Sequence, residues 1–315
     1  MISFRFHIVS ITAVFLALAI GVVVGTTYID RAVVDNLETR VDRVSKNLDD
    51  RKAENDALSA QVHDLQGYAG ASAPFVVTGR LTDVPVVLLA ARGVRGSVAN
   101  QTVALARKAG ATVPGVAWLE KKWALADAAD HDALAAAAGV SDQGSNTKVR
   151  VAALRALVGA LGPQLPGTDP TLAPALLDRM VQAGFLSIDP QGGDAPSFPS
   201  MAGRSPRLLL LSGTDVQDGL LPLVAELARS GADAHLPTVL GDAWVRHDDG
   251  PERGAVLSQL LDDELRKEIA VVDDVDVPEG QAATVLALAL PESSRNAHYG
   301  LGSGADGVLP AWSAP

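Results

Sequence analysis

Residues Ile8 to Gly25, IVSITAVFLALAIGVVVG, run for eighteen positions without a charge, with Ser10 and Thr12 as their polar side chains. As a helix rising about 1.5 Å per residue, such a stretch spans about 27 Å, enough to cross a hydrocarbon core. A cleaved leader would have a shorter apolar region followed by a small-x-small cleavage site. Here no A-x-A tripeptide follows, and Thr26 to Asp30 continue a helical pattern past an interfacial Tyr28. The expectation is an uncleaved anchor over 8–25 behind a short tail, 1–7. Arg5 and His7 precede the span, while Asp30 and Arg31 cancel behind it. The positive-inside bias therefore places the tail in the cytoplasm and everything after the span outside.

Ala13, Ala17, Gly21 and Gly25 recur every four residues within the span, and Gly21-Val-Val-Val-Gly25 is a G-x-x-x-G. That spacing lets two membrane helices approach closely, although Ala and Gly are also common in such helices generally. The next segment, 30–68, carries a different period. Val34, Leu37, Val41, Val44, Leu48, Arg51, Asn55, Leu58, Val62 and Leu65 follow alternating steps of three and four. This is heptad spacing, with Val41, Leu48, Asn55 and Val62 on one row of the seam and Leu37, Leu58 and Leu65 on the other. A single Asn on such a row is a device for fixing the register of a two-stranded coil. The intervening positions are mostly Asp, Arg, Ser, Lys, Asn and Glu, so the apolar stripe is narrow. A narrow stripe suits a coil seam better than a helix lying on its own domain. A parallel homodimeric coiled coil is expected, ended by Gly67, Gly70 and Pro74.

Beyond it the pattern reads as an α/β domain with a parallel, Rossmann-like sheet built from β-α-β units. Pro85–Ala91 is a continuous apolar run suited to a buried strand. Ser97 caps a helix running to about Ala109 that Gly110 ends, and Ala111–Leu119 is a further apolar segment. Arg207–Ser212 is the next strand, Asp215 opens a helix stopping at Gly231, and Ala234–Leu240 follows. Leu105-Ala-Arg-Lys-Ala-Gly-Ala111 and Leu227-Ala-Arg-Ser-Gly-Ala232 share wording, which suggests two duplicated halves, 74–188 and 207–315. Helices are expected over 130–139, 148–161, 170–183 and 255–266, and strands over 269–272 and 284–290. The segment 189–206, DPQGGDAPSFPSMAGRSP, reads as a linker loop, and the Gly-rich 296–307 as irregular.

Chemistry is harder to find. The chain has 315 residues and a net charge of −11, from 26 basic and 37 acidic side chains, which argues against a nucleic-acid surface. With no cysteine, it has no disulfide, thiolate metal site or Cys nucleophile. Ala91-Arg-Gly93-Val-Arg-Gly96 sits where a dinucleotide loop would, but it lacks the first Gly. Glu120 is the nearest acidic partner for such a loop, and it closes a segment broken by Pro114. The histidines, at 7, 63, 131, 235, 247 and 298, form no H-x-H or H-x-x-x-H pattern. The three methionines form no M-x-x-M run. His247-Asp248-Asp249 reads as a solvated charge cluster. Asp273-Asp274-Val-Asp276 resembles a hard-cation ligand set without EF-hand spacing or its Gly. No G-x-S-x-G occurs, and Ser200 lies in a Pro-rich loop. The expectation is a non-enzyme with no catalytic or cofactor-binding residues.

The opening Met1–Ser10 block, Phe15–Gly25, Val272-Asp-Asp-Val-Asp276 and the tail His298–Gly307 running into Val308-Leu-Pro310 resemble the MctB-type copper transport proteins of actinobacteria. The likeness covers essentially the whole chain. It implies a cell-envelope protein of copper homeostasis, with copper as its metal, but brings no ligand residues with it. A single apolar span cannot enclose a pore by itself. The residues alone also fit a dimeric scaffold that presents its α/β ectodomain to an envelope or division partner.

Overall fold

The computed structural model describes residues 4–141, 144–164, 169–190, 195–217, 219–246, 253–254, 257, 264–290 and 296–311, with backbone alone over 26–32. The chain divides into two units, 1–65 and 66–315.

The first unit is helical throughout its described length and belongs to helix α1, Phe4–Val77. Its first 22 residues, Phe4–Gly25, are long and apolar enough to cross a membrane. The helix does not end at Gly67, Gly70 or Pro74, as expected from sequence, but runs on to Val77. A helical Gly costs only about 1 kcal/mol, and here tertiary packing offsets that cost. Gly70 lies against the ring of Pro278, where a Cβ would stand 3.5 Å from its Cγ. Ala73 and Val77 are buried in the core of the second unit. Termination comes at Gly79, whose φ of +73° turns the chain.

In the second unit the described strands form one sheet of order β3-β2-β1-β4-β5-β6-β7. Strand β1 (Val86–Ala91) leads through α2 (Gly96–Lys108) to β2 (Gly115–Leu119), then α3 (Ala128–Ala138), α4 (Asn146–Leu161), α5 (Leu172–Gln182) and β3 (Leu186–Pro190). Next come β4 (Arg207–Gly213), α6 (Leu221–Asp233), β5 (Thr238–Ala243), β6 (Ala270–Val272), α7 (Pro278–Ala289) and β7 (His298–Tyr299). Every neighbouring pair is parallel except β2 with β3. The sheet's middle is buried: every residue of β1, β2, β5 and β6 is inaccessible, as in strands covered on both faces. The expected halves meet here, because β1 and β4 pair directly.

Several local readings change. The apolar run 284–290 is not a strand; it forms most of α7, which begins with Pro278 in its first turn and Glu279 behind it. Buried on nearly every side, α7 shows no amphipathic period to separate it from a buried strand. Asp215 lies in a turn and α6 starts at Leu221, with Pro222 in its first turn. Gly231 does not stop that helix. A Cβ there would come within 2.5 Å of Thr238 Oγ1, so the glycine lets α6 lie close on the sheet. The shared wording of the two halves thus has two meanings, since α2 ends before Gly110 whereas α6 continues to Asp233. Arg95, not Ser97, occupies the N-cap of α2.

The expected linker, 189–206, supplies the end of β3 and a short 3-10 turn, Phe198–Met201, whose Phe198 and Met201 are buried. Gly203 and Ser205 donate backbone bonds to Ala160 and Leu161 at 3.0 Å each, tying this stretch to α4. Most of the expected helix 255–266 lies outside the described residues, which show a 3-10 turn over Leu265–Lys267. At α3, the Asp127 side chain accepts from Asp130 N at 2.8 Å, and Gly139 closes the helix at φ +66°. Replacing Asp127 by Ala should lower stability by about 1 kcal/mol, the usual value of such a cap, read as an earlier midpoint in urea unfolding.

Candidate functional site

Two places in the second unit gather polar side chains, and both lie at the carboxyl ends of the parallel strands. The first follows β1. The turn Ala91–Gly96 has the location of a dinucleotide loop but is packed shut. Gly93 sits at φ +117°, and a Cβ on it would fall inside the carbonyl of Asp215. Gln217 N also donates to Arg92 O at 3.2 Å. The crevice between β1 and β4, where the strand order reverses, is therefore occupied by the chain's own backbone. Glu120 has a different partner from the one its position suggests. Arg92 Nη2 donates to its Oε1 at 2.6 Å and Arg92 Nε at 3.0 Å, while the Ser187 hydroxyl also donates to Oε1. The Arg92 hydrogen bonds hold the Glu120 carboxyl below its ordinary range, with burial opposing them. Arg92 lies over the Trp118 ring at 4.7 Å. This is an anchored ion pair that pins the antiparallel strand β3 to β2.

The second place follows β5 and β6. Asp273 is fully buried and accepts from Leu301 N and Gly302 N, each at 3.0 Å, while His298 Nε2 stands 2.9 Å from its Oδ2. Gly300, at φ +134°, lets the backbone come this close, because a Cβ on it would overlap the carboxylate. The Gly-rich tail is thus ordered around one aspartate. Asp276 accepts from Arg253 Nη1 at 3.0 Å and from Trp244 N at 3.1 Å, and Arg253 stacks on Trp244 at 4.7 Å. Asp242 and Asp274, both 0% exposed, have no hydrogen-bond partner on any carboxylate oxygen. Burial pushes each up to about 7. For Asp242 the negative charges of Asp276 and Asp273 add to it; for Asp274 those of Asp273, Asp276 and Glu279 do; Arg253 opposes both shifts.

The acidic run 273–276 is therefore split into three different environments and does not form one ligand set. Among the described residues no three His, Asp or Glu side chains are grouped to hold a metal. His247-Asp248-Asp249 lies outside the described residues. Met180 and Met201 are both fully buried in the core. On α1, Gly21 and Gly25 present an open face, with nothing within 4 Å of a Cβ placed on either. Val34, Leu37, Val41, Val44, Leu48, Leu58, Val62 and Leu65 are each at least half exposed (50–65%). Asn55 is exposed too, and Arg51 pairs at the surface with Glu54 at 3.0 Å. The stripe read from the sequence thus lies uncovered on the single chain.

A family model described as "Copper transport outer membrane protein, MctB" matches residues 1–310. The chain belongs to the MctB family. Proteins named "Copper transporter MctB" from Mycobacterium bovis and Mycobacterium tuberculosis are 23% identical to it over 319 residues, covering 98% of this chain and 99% of theirs. The MctB match thus includes the apolar N-terminal helix, the heptad segment and the sheet domain together. Ser212 and Asp242 carry no motif that would single them out. The only hint in the sequence is a polar residue at the end of each apolar run, LLLLS and TVLGD.

Proposed function

We propose that this MctB-family chain is a single-pass envelope protein that serves copper homeostasis as a paired, membrane-tethered α/β head, not as a pore. The reading is carried by one observation: an apolar span, Phe4–Gly25, continues as one helix into a heptad stripe whose apolar residues are exposed. Arg5 before the span supports a cytoplasmic N-terminus and an extracytoplasmic head. One span per chain gives a pore no wall. The strands offer none either, because barrel strands cross lipid with about 9–11 residues, alternate ones facing outward. Those of this sheet are 2–7 residues long and lie in an open order with β3 and β7 at its edges.

A scaffold that acts on copper through a partner is favoured over direct carriage by the donor atoms. Cu(I) prefers thiolate and thioether sulfur. The chain has no cysteine, and its two internal methionines are core residues. Two measurements test this reading. Cells lacking the protein should accumulate copper, and the full-length chain should restore the normal content. The purified protein should fail to take Cu(I) from a colorimetric chelator. Unchanged cell copper would remove the homeostatic role, and stoichiometric Cu(I) capture would replace the scaffold with a carrier.

A further inference from the structure

Helix α1 outlasts the point where its glycines signal an end, and the heptad spacing goes with it. Counting on from Val62 and Leu65 by steps of four and three gives Ala69, Ser72 and Val76 on the seam. Ala69 and Ser72 are half-buried and small, and Val76 is 42% exposed. Pro74 falls on the outermost row, away from that seam. The two rows flanking the seam change character at the same point. One of them, position g of the heptad, reads Arg40, Asn47, Glu54 and Gln61, and then Tyr68 and Phe75. The other, position e, reads Ser45, Lys52, Ser59 and Gln66, and then Ala73. Ala73 is buried in the head, with Gly70 before it against the Pro278 ring. Tyr68 and Phe75 are 74% and 85% exposed, and Phe75 is the most exposed large apolar side chain among the described residues.

Single apolar residues scattered over a surface are ordinary. A row that is polar at four successive positions and then aromatic at two, one heptad apart, is not scattered. In a parallel two-stranded coil the g row of one helix faces the e row of the other in the following heptad. Tyr68 of one copy then comes opposite position 73 of the second, where that copy's head begins. The row that turns aromatic is thus set against the row that turns into a domain. On the parallel pairing put forward above, we propose that Tyr68 and Phe75 of each copy dock on the second copy's head, beside its Ala73 and Pro278, so that each head is held by both helices. The occupant of this face is a second copy of the chain, because one heptad count places both the aromatic pair and the surface that receives it. Tyr and Phe carry large apolar area and are usual anchors of such contacts. Two-fold symmetry repeats the contact, once for each head.

The test uses the full-length protein in detergent, with photoreactive p-benzoylphenylalanine in place of Phe75. Light scattering of the parent should first show a dimer. Irradiation should then give a band of twice the chain mass on a denaturing gel. The peptide joined to position 75 should come from the second copy's head, from 66–81 or the start of α7. The same photoreactive residue at Gly67, on the outer row with open space at its Cβ, should give no such band. Tyr68→Ser with Phe75→Ser should keep the parent's circular dichroism and raise the dissociation constant of the dimer at least tenfold. A monomeric parent removes the parallel pairing and this contact with it. A dimeric parent that gives no band from position 75, an equal band from position 67, or linked peptides wholly before residue 66 overturns this contact alone and leaves the pairing standing. Adducts with other proteins only, when whole membranes are irradiated, assign the face to a different partner and overturn it likewise.

Discussion

On the proposed pairing, replacing Leu37, Leu48 and Leu58 together by Asp should leave the detergent-solubilised protein monomeric, seen in light scattering as half the protein mass of the parent. The three residues lie on the heptad stripe and are 54–64% exposed. Burying a Leu side chain contributes about 2 kcal/mol. Six such side chains per pair, each exchanged for a charge facing a like charge, remove about 12 kcal/mol or more. A loss of that size equals the whole binding free energy of a nanomolar complex, so no dimer should persist at micromolar concentration. A dimer of unchanged mass would sink the pairing role of this stripe and move attention to the open Gly21–Gly25 face. The head itself should be unaffected, with its urea midpoint held to the parent value.

The second large effect is on pH. Asp242 and Asp274 are each held at about 7 in the fold by burial first and by neighbouring carboxylates second. An unfolded Asp titrates near 3.9. Below about 3.9 both states carry the proton and these groups do not alter stability. Between there and 7 the unfolded chain releases protons that the fold retains, so stability falls as pH rises, and above 7 the penalty is constant. At about 1.4 kcal/mol per pH unit, each group is worth up to roughly 4 kcal/mol over that window. The urea midpoint should therefore decline from pH 5 to pH 7.5, against the usual trend of paired carboxylates. Asp242→Asn and Asp274→Asn should each flatten that slope and stabilise the head at pH 7.5. A midpoint independent of pH in the parent protein, or lowered by both exchanges, would show that these carboxylates are solvated or paired.

How far the sequence reaches is clear from individual elements. Strands β1, β4 and β6 are legible because they are short apolar runs bounded by Pro, Gly or charge, which is what central parallel strands require. Helices α3, α4 and α5 are legible over most of their length, although a reading from 130 misses the cap at Asp127 that opens α3. Helix α7 is not, because ATVLALAL is apolar in every direction and its period says nothing. Pro278 and Glu279 at its start were the usable signal. Strand β3 is hidden by its ending in Asp189-Pro190 and by its antiparallel pairing at an edge, where proline is tolerated. The Ser212–Asp242–Asp273 row is beyond local reading altogether. Its members lie about thirty residues apart and become neighbours only through strand order and register. The heptads of α1, by contrast, are a purely local property, and the exposed stripe falls where the steps of three and four place it.

The two-residue strand β7 has a protective consequence out of proportion to its length. It occupies the free hydrogen-bonding side of β6, a run of Ala270, Val271 and Val272 that is wholly apolar and buried. It is kept there by the Asp273 carboxylate, by Asp306 accepting from His298 N at 2.9 Å, and by Gly300 bonding to Gly307. An uncapped strand of that composition is a template for edge-to-edge growth. With that side of β6 taken, no second sheet can add to it there.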